Sequence, residues 1–175
     1  MIGSSGALDY TVSLSNENNR FGADGPVSIT DRDGALIESQ YSKLSGKFDN
    51  PKISTAFSYD FGGGVLANLN LSYGVDYYSR QEPETGTRAP GETRTRESRT
   101  DEDGPFYELG GDIQFPFGPG SLKLILLERF ERDNYSSSVI DRLSDDSPPR
   151  GFRFEQTNGA GERIGRLEYD WKLWG

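Results

Sequence analysis

Val65-Leu66-Ala67-Asn68-Leu69-Asn70-Leu71-Ser72-Tyr73-Gly74-Val75-Asp76-Tyr77-Tyr78 is the stretch on which the fold turns. Its odd positions are apolar or aromatic, and its even positions are mostly Asn, Ser, Gly and Asp. A period of two places alternate side chains on opposite faces of a strand, so this segment is extended with one apolar and one polar face. About thirteen residues of alternation is more than twice the usual strand of about 5–6 residues. A strand this long with a whole polar face needs a special environment.

The same period recurs on both sides. Leu8, Tyr10, Val12 and Leu14 alternate with Asp9, Thr11, Ser13 and Ser15, and Ile53, Phe57, Tyr59 and Phe61 mark another strand. Downstream, Tyr107, Leu109, Ile113, Phe115 and Phe117 are followed by Leu122, Leu124, Leu126 and Phe130. Phe152 and Phe154 open a shorter strand, and Leu167, Tyr169 and Trp171 alternate with Arg166, Glu168, Asp170 and Lys172. No segment carries a helical period. The chain reads as all-β, an antiparallel up-and-down meander of seven strands.

The connections predict which ends of the strands lie together. Gly62-Gly63-Gly64, Gly118-Pro119-Gly120 and Asn158-Gly159-Ala160-Gly161 supply the backbone freedom of tight hairpins. Long polar loops are expected at 16–34, 80–104 and 133–150. Reading 34–61 as one strand puts every short turn at one end and every long loop at the other; reading it as two does not.

Composition limits the functions open to such a chain. It has 175 residues, 33% hydrophobic and 12% aromatic, with 22 Gly and a mean hydropathy of -0.71. Its 19 Lys and Arg against 28 Asp and Glu give a net charge of -9, opposite in sign to the basic footprint of a nucleic-acid binder. With neither His nor Cys, it has no thiol nucleophile, disulfide, Cys/His metal site or histidine base. The longest apolar run, Leu124-Ile125-Leu126-Leu127, is far short of the roughly 20 residues of a membrane helix. Low hydropathy is compatible with a transmembrane barrel, whose strands are apolar at alternate positions only. The N-terminus shows no signal-peptide pattern.

Two architectures accommodate one-faced strands. In a sandwich the apolar faces meet each other; in an outer-membrane barrel they meet lipid, with aromatic girdles at both borders and loops longer at one end. Tyr77, Tyr78, Phe106 and Tyr107 flank one long loop, while Phe61, Phe115 and Phe117 flank the short turns. Strand length, loop asymmetry and aromatic placement together favour the barrel wall, in which Arg166, Glu168, Asp170 and Lys172 form a polar ladder facing the lumen. The sandwich, serving as a carbohydrate-binding module, is the alternative, and a complete small barrel with an eighth strand merged into 34–61 is a third.

The hairpin Tyr107–Phe117 and Gly120–Arg132, together with Phe61–Asn70 and Gly165–Trp171, resembles barrel hairpins of TonB-dependent outer-membrane receptors. The resemblance spans about Gly6 to Trp174 and is one of texture. It implies residence in the bacterial outer membrane against lipid, and energy-coupled uptake of an iron chelate, cobalamin or carbohydrate. It also implies a partner, the TonB energy-transducing complex, engaged through a plug domain that has no counterpart here. Receptors of that family have about 22 strands, so the chain is expected to be an internal piece of a larger wall.

The remaining motifs carry little chemistry. Asp31-Arg32-Asp33-Gly34 with Glu38 is an incomplete calcium loop, and Asp101-Glu102-Asp103 and Asp145-Asp146 are adjacent acids in polar segments. No enzyme activity, cofactor or metal is expected. For a receptor, Arg94, Arg96 and Arg99 are the candidate contacts for an anionic ligand, and Tyr77, Tyr78 and Phe106 the candidate stacking platforms.

Overall fold

The computed structural model describes residues 1–88, 91–145 and 147–171. Seven antiparallel strands, β1 (Ile2–Ser5), β2 (Leu8–Thr30), β3 (Leu36–Gly62), β4 (Val65–Arg88), β5 (Glu92–Phe117), β6 (Gly120–Leu143) and β7 (Arg150–Trp171), form one sheet in chain order. The sheet is not closed, since β1 and β7 are its two edges. No helix is present among the described residues.

The expected count of seven is met with different members. β1 adds a short strand, turned into β2 through Gly6 at φ 62°. The expected turn at 158–161 is not one: the chain runs straight through it inside β7, where Gly159 and Gly161 pair with Arg132 and Phe130. Glycine there serves packing under the Phe130 ring rather than a reversal. The 34–61 segment is one strand, as the loop argument required.

The three long polar loops are the larger correction. Most of 16–34, 80–104 and 133–150 is strand, with breaks between strands only at 31–35, between Arg88 and Glu92, and between Leu143 and Arg150. Polarity on both faces concealed these extensions. They are held instead by ladder hydrogen bonds and cross-strand charge pairs, such as Arg142 with Glu97 at 3.1 Å and Arg20 with Asp49 at 2.9 Å. The incomplete calcium loop is a hairpin turn, in which the Asp31 carboxylate accepts from the amides of Asp33 and Ala35 at 2.9 and 2.8 Å.

Register fixes the geometry of the sheet. One cross-strand row runs Leu8, Tyr59, Ala67, Ile113, Leu124, Leu167. The β1–β2 hairpin closes at Leu8 on that row, the β3–β4 hairpin at Val65, two residues before Ala67, and the β5–β6 hairpin at Gly120, four before Leu124. Each hairpin is displaced by two residues, one per strand, which is the stagger of strands tilted in a barrel wall.

No hydrophobic side chain is buried among the described residues, so there is no sandwich core. The buried residues, Glu38, Gly74, Gly86, Arg94 and Gly104, all lie on one face of the sheet. The opposite face carries the apolar rows. A closed eight-stranded barrel is likewise absent, since 34–61 contributes a single strand to an open sheet.

Candidate functional site

Following the register row by row gives a continuous apolar belt on one face. Tyr10, Phe57, Leu69, Gly111, Leu126 and Gly165 form one row; Leu14, Ile53, Tyr73, Tyr107, Phe130 and Gly161 form another, two rows towards the far end. Leu69, Leu71, Tyr73 and Leu109 are each more than 40% exposed. Past a row holding Asn16, Pro51, Val75 and Pro105, the face turns polar, with Asn18, Asp49, Tyr77, Asp103, Asn134 and Thr157 in line. On β5 the belt runs from Phe117 to Tyr107, close to the 9–11 residues with which a tilted strand crosses a bilayer.

Aromatic pairs mark both borders. Near the short turns, Phe117 meets Tyr169 edge-on at 6.3 Å, Tyr169 stacks on Trp171 at 5.3 Å, and Tyr59 meets Phe61 at 4.5 Å. At the far border Tyr107 lies 5.9 Å from Phe130. Rings with a polar edge favour the water–hydrocarbon boundary.

Among the described residues the belt has one charged interruption, at Glu128 and Arg163, paired in register at 3.0 Å. The Tyr107 hydroxyl donates to the same Glu128 oxygen at 3.1 Å. Sequence reading missed this pair, although Glu128 standing where the series Leu122, Leu124, Leu126 calls for an apolar residue was its signal.

The other face is mostly polar, with Ile125, Leu127 and Ile164 as an apolar inset on β6 and β7. Ser54, Asn68, Asn70, Ser72, Asp112 and Lys123 line it near the short turns; Asn68 donates to Asp112 at 3.1 Å and Lys123 approaches it at 3.3 Å. Arg166, Glu168 and Asp170 share this face, with Arg166 paired to Glu168. Lys172, the fourth member, lies outside the described residues.

Further along, the polar face carries a charged clasp across four strands. Arg94 on β5 reaches over Gly86 on β4 to Glu38 on β3, with 2.8 Å between Nη2 and Oε1. It also donates to Gln40 at 2.9 Å. Arg88 contacts the second Glu38 oxygen at 3.0 Å, and Arg96 forks onto Asp141 of β6 with bonds of 2.8 and 2.9 Å. The Arg96 bonds hold the Asp141 carboxyl below the ordinary aspartate range, and Asp141 in turn raises Arg96.

The candidate ligand residues are therefore divided. Arg94 and Arg96 stand on the polar face, already paired to acids, while Arg99 stands on the belted face and pairs with Asp101. Tyr78 and Phe106 face the polar side; Tyr78 stacks 6.3 Å from Phe21, and Phe106 packs over Gly74, its cross-strand partner. Tyr77 faces the other way, in the second row past the belt. An odd number of residues between two strand positions puts them on one face, and an even number separates them; Arg99 follows Arg96 by three, so the arginines could not act as a trio.

No family model matches the chain, and no curated protein matches it. Among solved structures it is similar, at 9% identity and a TM-score of 0.16, to the outer membrane protein AlkL in lipid bilayers, over 95% of this chain and 92% of that one. At that score the likeness carries no argument about fold or role.

Proposed function

We propose that this chain is part of the wall of an outer-membrane β-barrel, its belted face against lipid and its polar face lining a lumen. The belt carries the reading: an exposed apolar surface spanning six strands, about as tall as a bilayer's hydrocarbon core, with ring pairs at both borders and polar rows beyond. A soluble protein rarely leaves so large a contiguous apolar patch in water. Two unpaired edges, β7 and most of β2, are expected of a wall that further strands complete.

Within that wall, the hairpins' resemblance to TonB-dependent receptors supports a role in ligand binding and energy-coupled nutrient uptake. The ligand side is the polar face, where Tyr78 and Phe106 offer ring surfaces below the clasp. Energy would reach the ligand through a plug domain engaging the TonB complex. Arg94 and Arg96 act in the clasp, holding the hairpins upright around the entrance.

Depth-dependent quenching of Trp171 fluorescence by brominated phospholipids, read in a Trp174→Phe variant so that one tryptophan emits, tests the wall. Strong quenching by bromines near the headgroup end of the acyl chains is expected; absence of quenching in reconstituted bilayers overturns the reading. For the finer role, disruption of the gene in its source cell should abolish uptake of one radiolabelled chelate, cobalamin or oligosaccharide in a manner dependent on proton-motive force.

A further inference from the structure

Three concavities lie end to end along β5, β6 and β7 on the belted face. The first, about 480 Å³, is an apolar groove within the belt, opened where Gly111 and Gly165 leave no side chain on either side of Leu126. The second, about 380 Å³, holds the Glu128–Arg163 pair beneath Tyr107 and Phe130. The third, about 670 Å³, lies past the belt and is lined by Tyr77, Ser79, Asp101, Asn134, Ser136 and Thr157 among others. Polarity thus changes along a single track from hydrocarbon-like, through one charged pair, to hydroxyl, amide and carboxylate groups beside an aromatic ring.

That order is the order of groups in an amphiphile. We propose that the track holds one glycolipid: an acyl chain in the Gly111–Gly165 groove, the polar linkage at Arg163, and the saccharide in the pocket beside Tyr77. The proposal rests on the membrane-wall reading above and adds to it a specific lipid.

Depth selects the headgroup. Tyr77 is two rows past the Tyr73–Tyr107 row that borders the belt, and Ser79 and Asp101 are a row further. At about 3.4 Å per residue this is roughly 14–20 Å along the strand, whereas the headgroup layer on each side is only about 5–8 Å thick. With strands tilted by about 35–45°, the pocket still begins at the outer limit of a phospholipid headgroup and extends beyond it. A phosphodiester would stop near Arg163; sugar rings continue to Asn134 and Thr157. The lining suits them, because Asp, Asn and Ser pair with vicinal hydroxyls while a tyrosine ring covers the C–H face of a pyranose. Arg99, held on Asp101, fixes the carboxylate at the pocket floor.

The full chain, reconstituted in detergent micelles, is titrated with a fluorescently labelled lipooligosaccharide and followed by anisotropy. Unlabelled lipooligosaccharide, its free core oligosaccharide and phosphatidylglycerol of matched chain length serve as competitors. Phosphatidylglycerol should compete at least tenfold more weakly than lipooligosaccharide, and the paired change Tyr77→Ala and Asn134→Ala should weaken binding at least tenfold. Gly165→Leu fills the groove, with an added Cβ meeting only Leu126 at 3.7 Å; it should weaken lipooligosaccharide binding while leaving that of the free oligosaccharide unchanged. Equal competition by phosphatidylglycerol, or unchanged affinity in these variants, overturns the glycolipid site. Trp171 quenching, read on the Trp174→Phe variant reconstituted in brominated bilayers, reports embedding without reference to the glycolipid. A quenched chain lacking the preference loses the site and keeps the wall; an unquenched chain loses both.

Discussion

Arg94 and Glu38 meet across an intervening strand: Arg94 belongs to β5 and Glu38 to β3, and the guanidinium passes over Gly86 of β4 to come within 2.8 Å. Both are nearly inaccessible, at 6% and 3% exposure. A Cβ on Gly86 would stand 2.7 Å from Glu38 Oε1 and 2.9 Å from Gln40 Cβ, so the pair exists because position 86 has no side chain. Gly86→Val is therefore expected to break the clasp as effectively as Arg94→Ala. Removing one partner of a buried pair typically costs about 3–5 kcal/mol. Urea unfolding in micelles should place both variants in that range, while Gly25→Ala, with nothing within 4 Å of its added Cβ, stays near wild type.

The clasp also sets an acid limit. Arg96 lowers the Asp141 carboxyl by its forked hydrogen bonds, and Arg99 lowers Asp101 in the same way. A carboxyl whose folded value is depressed stabilises the fold above its unfolded value of about 3.9, and that contribution disappears as pH falls through the folded value. Stability should be flat from neutral pH to about 5 on this account and fall below about 4. Asp141→Asn should be less stable at neutral pH and show a shallower acid decline; thermal melts between pH 7 and pH 3 check both.

The two faces of β4 should respond oppositely to charge. Leu71 lies mid-belt and Asn70, its chain neighbour, on the polar face. Leu71→Arg is expected to cost about 2–4 kcal/mol of folding into a bilayer, as measured for arginine at the midplane of a barrel wall. Asn70→Arg, beside Asp112 and other polar groups, should change it by less than about 1 kcal/mol. Paired unfolding titrations in lipid vesicles decide the assignment of faces, because reversed magnitudes would exchange lumen and lipid.

What the sequence disclosed follows from periodicity. Where one face is apolar, as from Val65 to Tyr77, alternation identifies the strand and its orientation. Beyond the belt both faces are polar, so Thr93-Arg94-Thr95-Arg96 has the composition of a loop while forming a central strand. Its stabilising partners, Glu38 and Asp141, are 56 and 45 residues from Arg94 and Arg96 respectively, and pattern within a window cannot show a pairing at that range. Glycine misled in the same way: Gly159 and Gly161 carry the composition of a turn but accommodate the Phe130 ring, whereas Gly63 and Gly118 do turn the chain, at φ 64° and 57°. The division of Arg94 and Arg96 from Arg99 was available from parity alone once the segment was known to be strand.

The Glu128–Arg163 pair separates stability from recognition. Charge inside a lipid-facing belt is costly, and Tyr107 offsets only part of it through one hydrogen bond to Glu128. Replacing both residues, Glu128→Leu with Arg163→Leu, continues the apolar rows of β6 and β7 and is expected to stabilise the sheet in bilayers by about 1–4 kcal/mol, as hydrophobic replacement of an ion pair can. Arg163→Leu alone leaves a carboxylate without its cation and should destabilise. A double-mutant cycle followed by urea unfolding in vesicles measures both. If the double variant is the most stable of the four and binds lipooligosaccharide more weakly than wild type, the pair is retained for contact with a polar lipid group at a cost to folding. A double variant less stable than either single one would instead make the pair a structural element of the wall, with β6 and β7 depending on it for register.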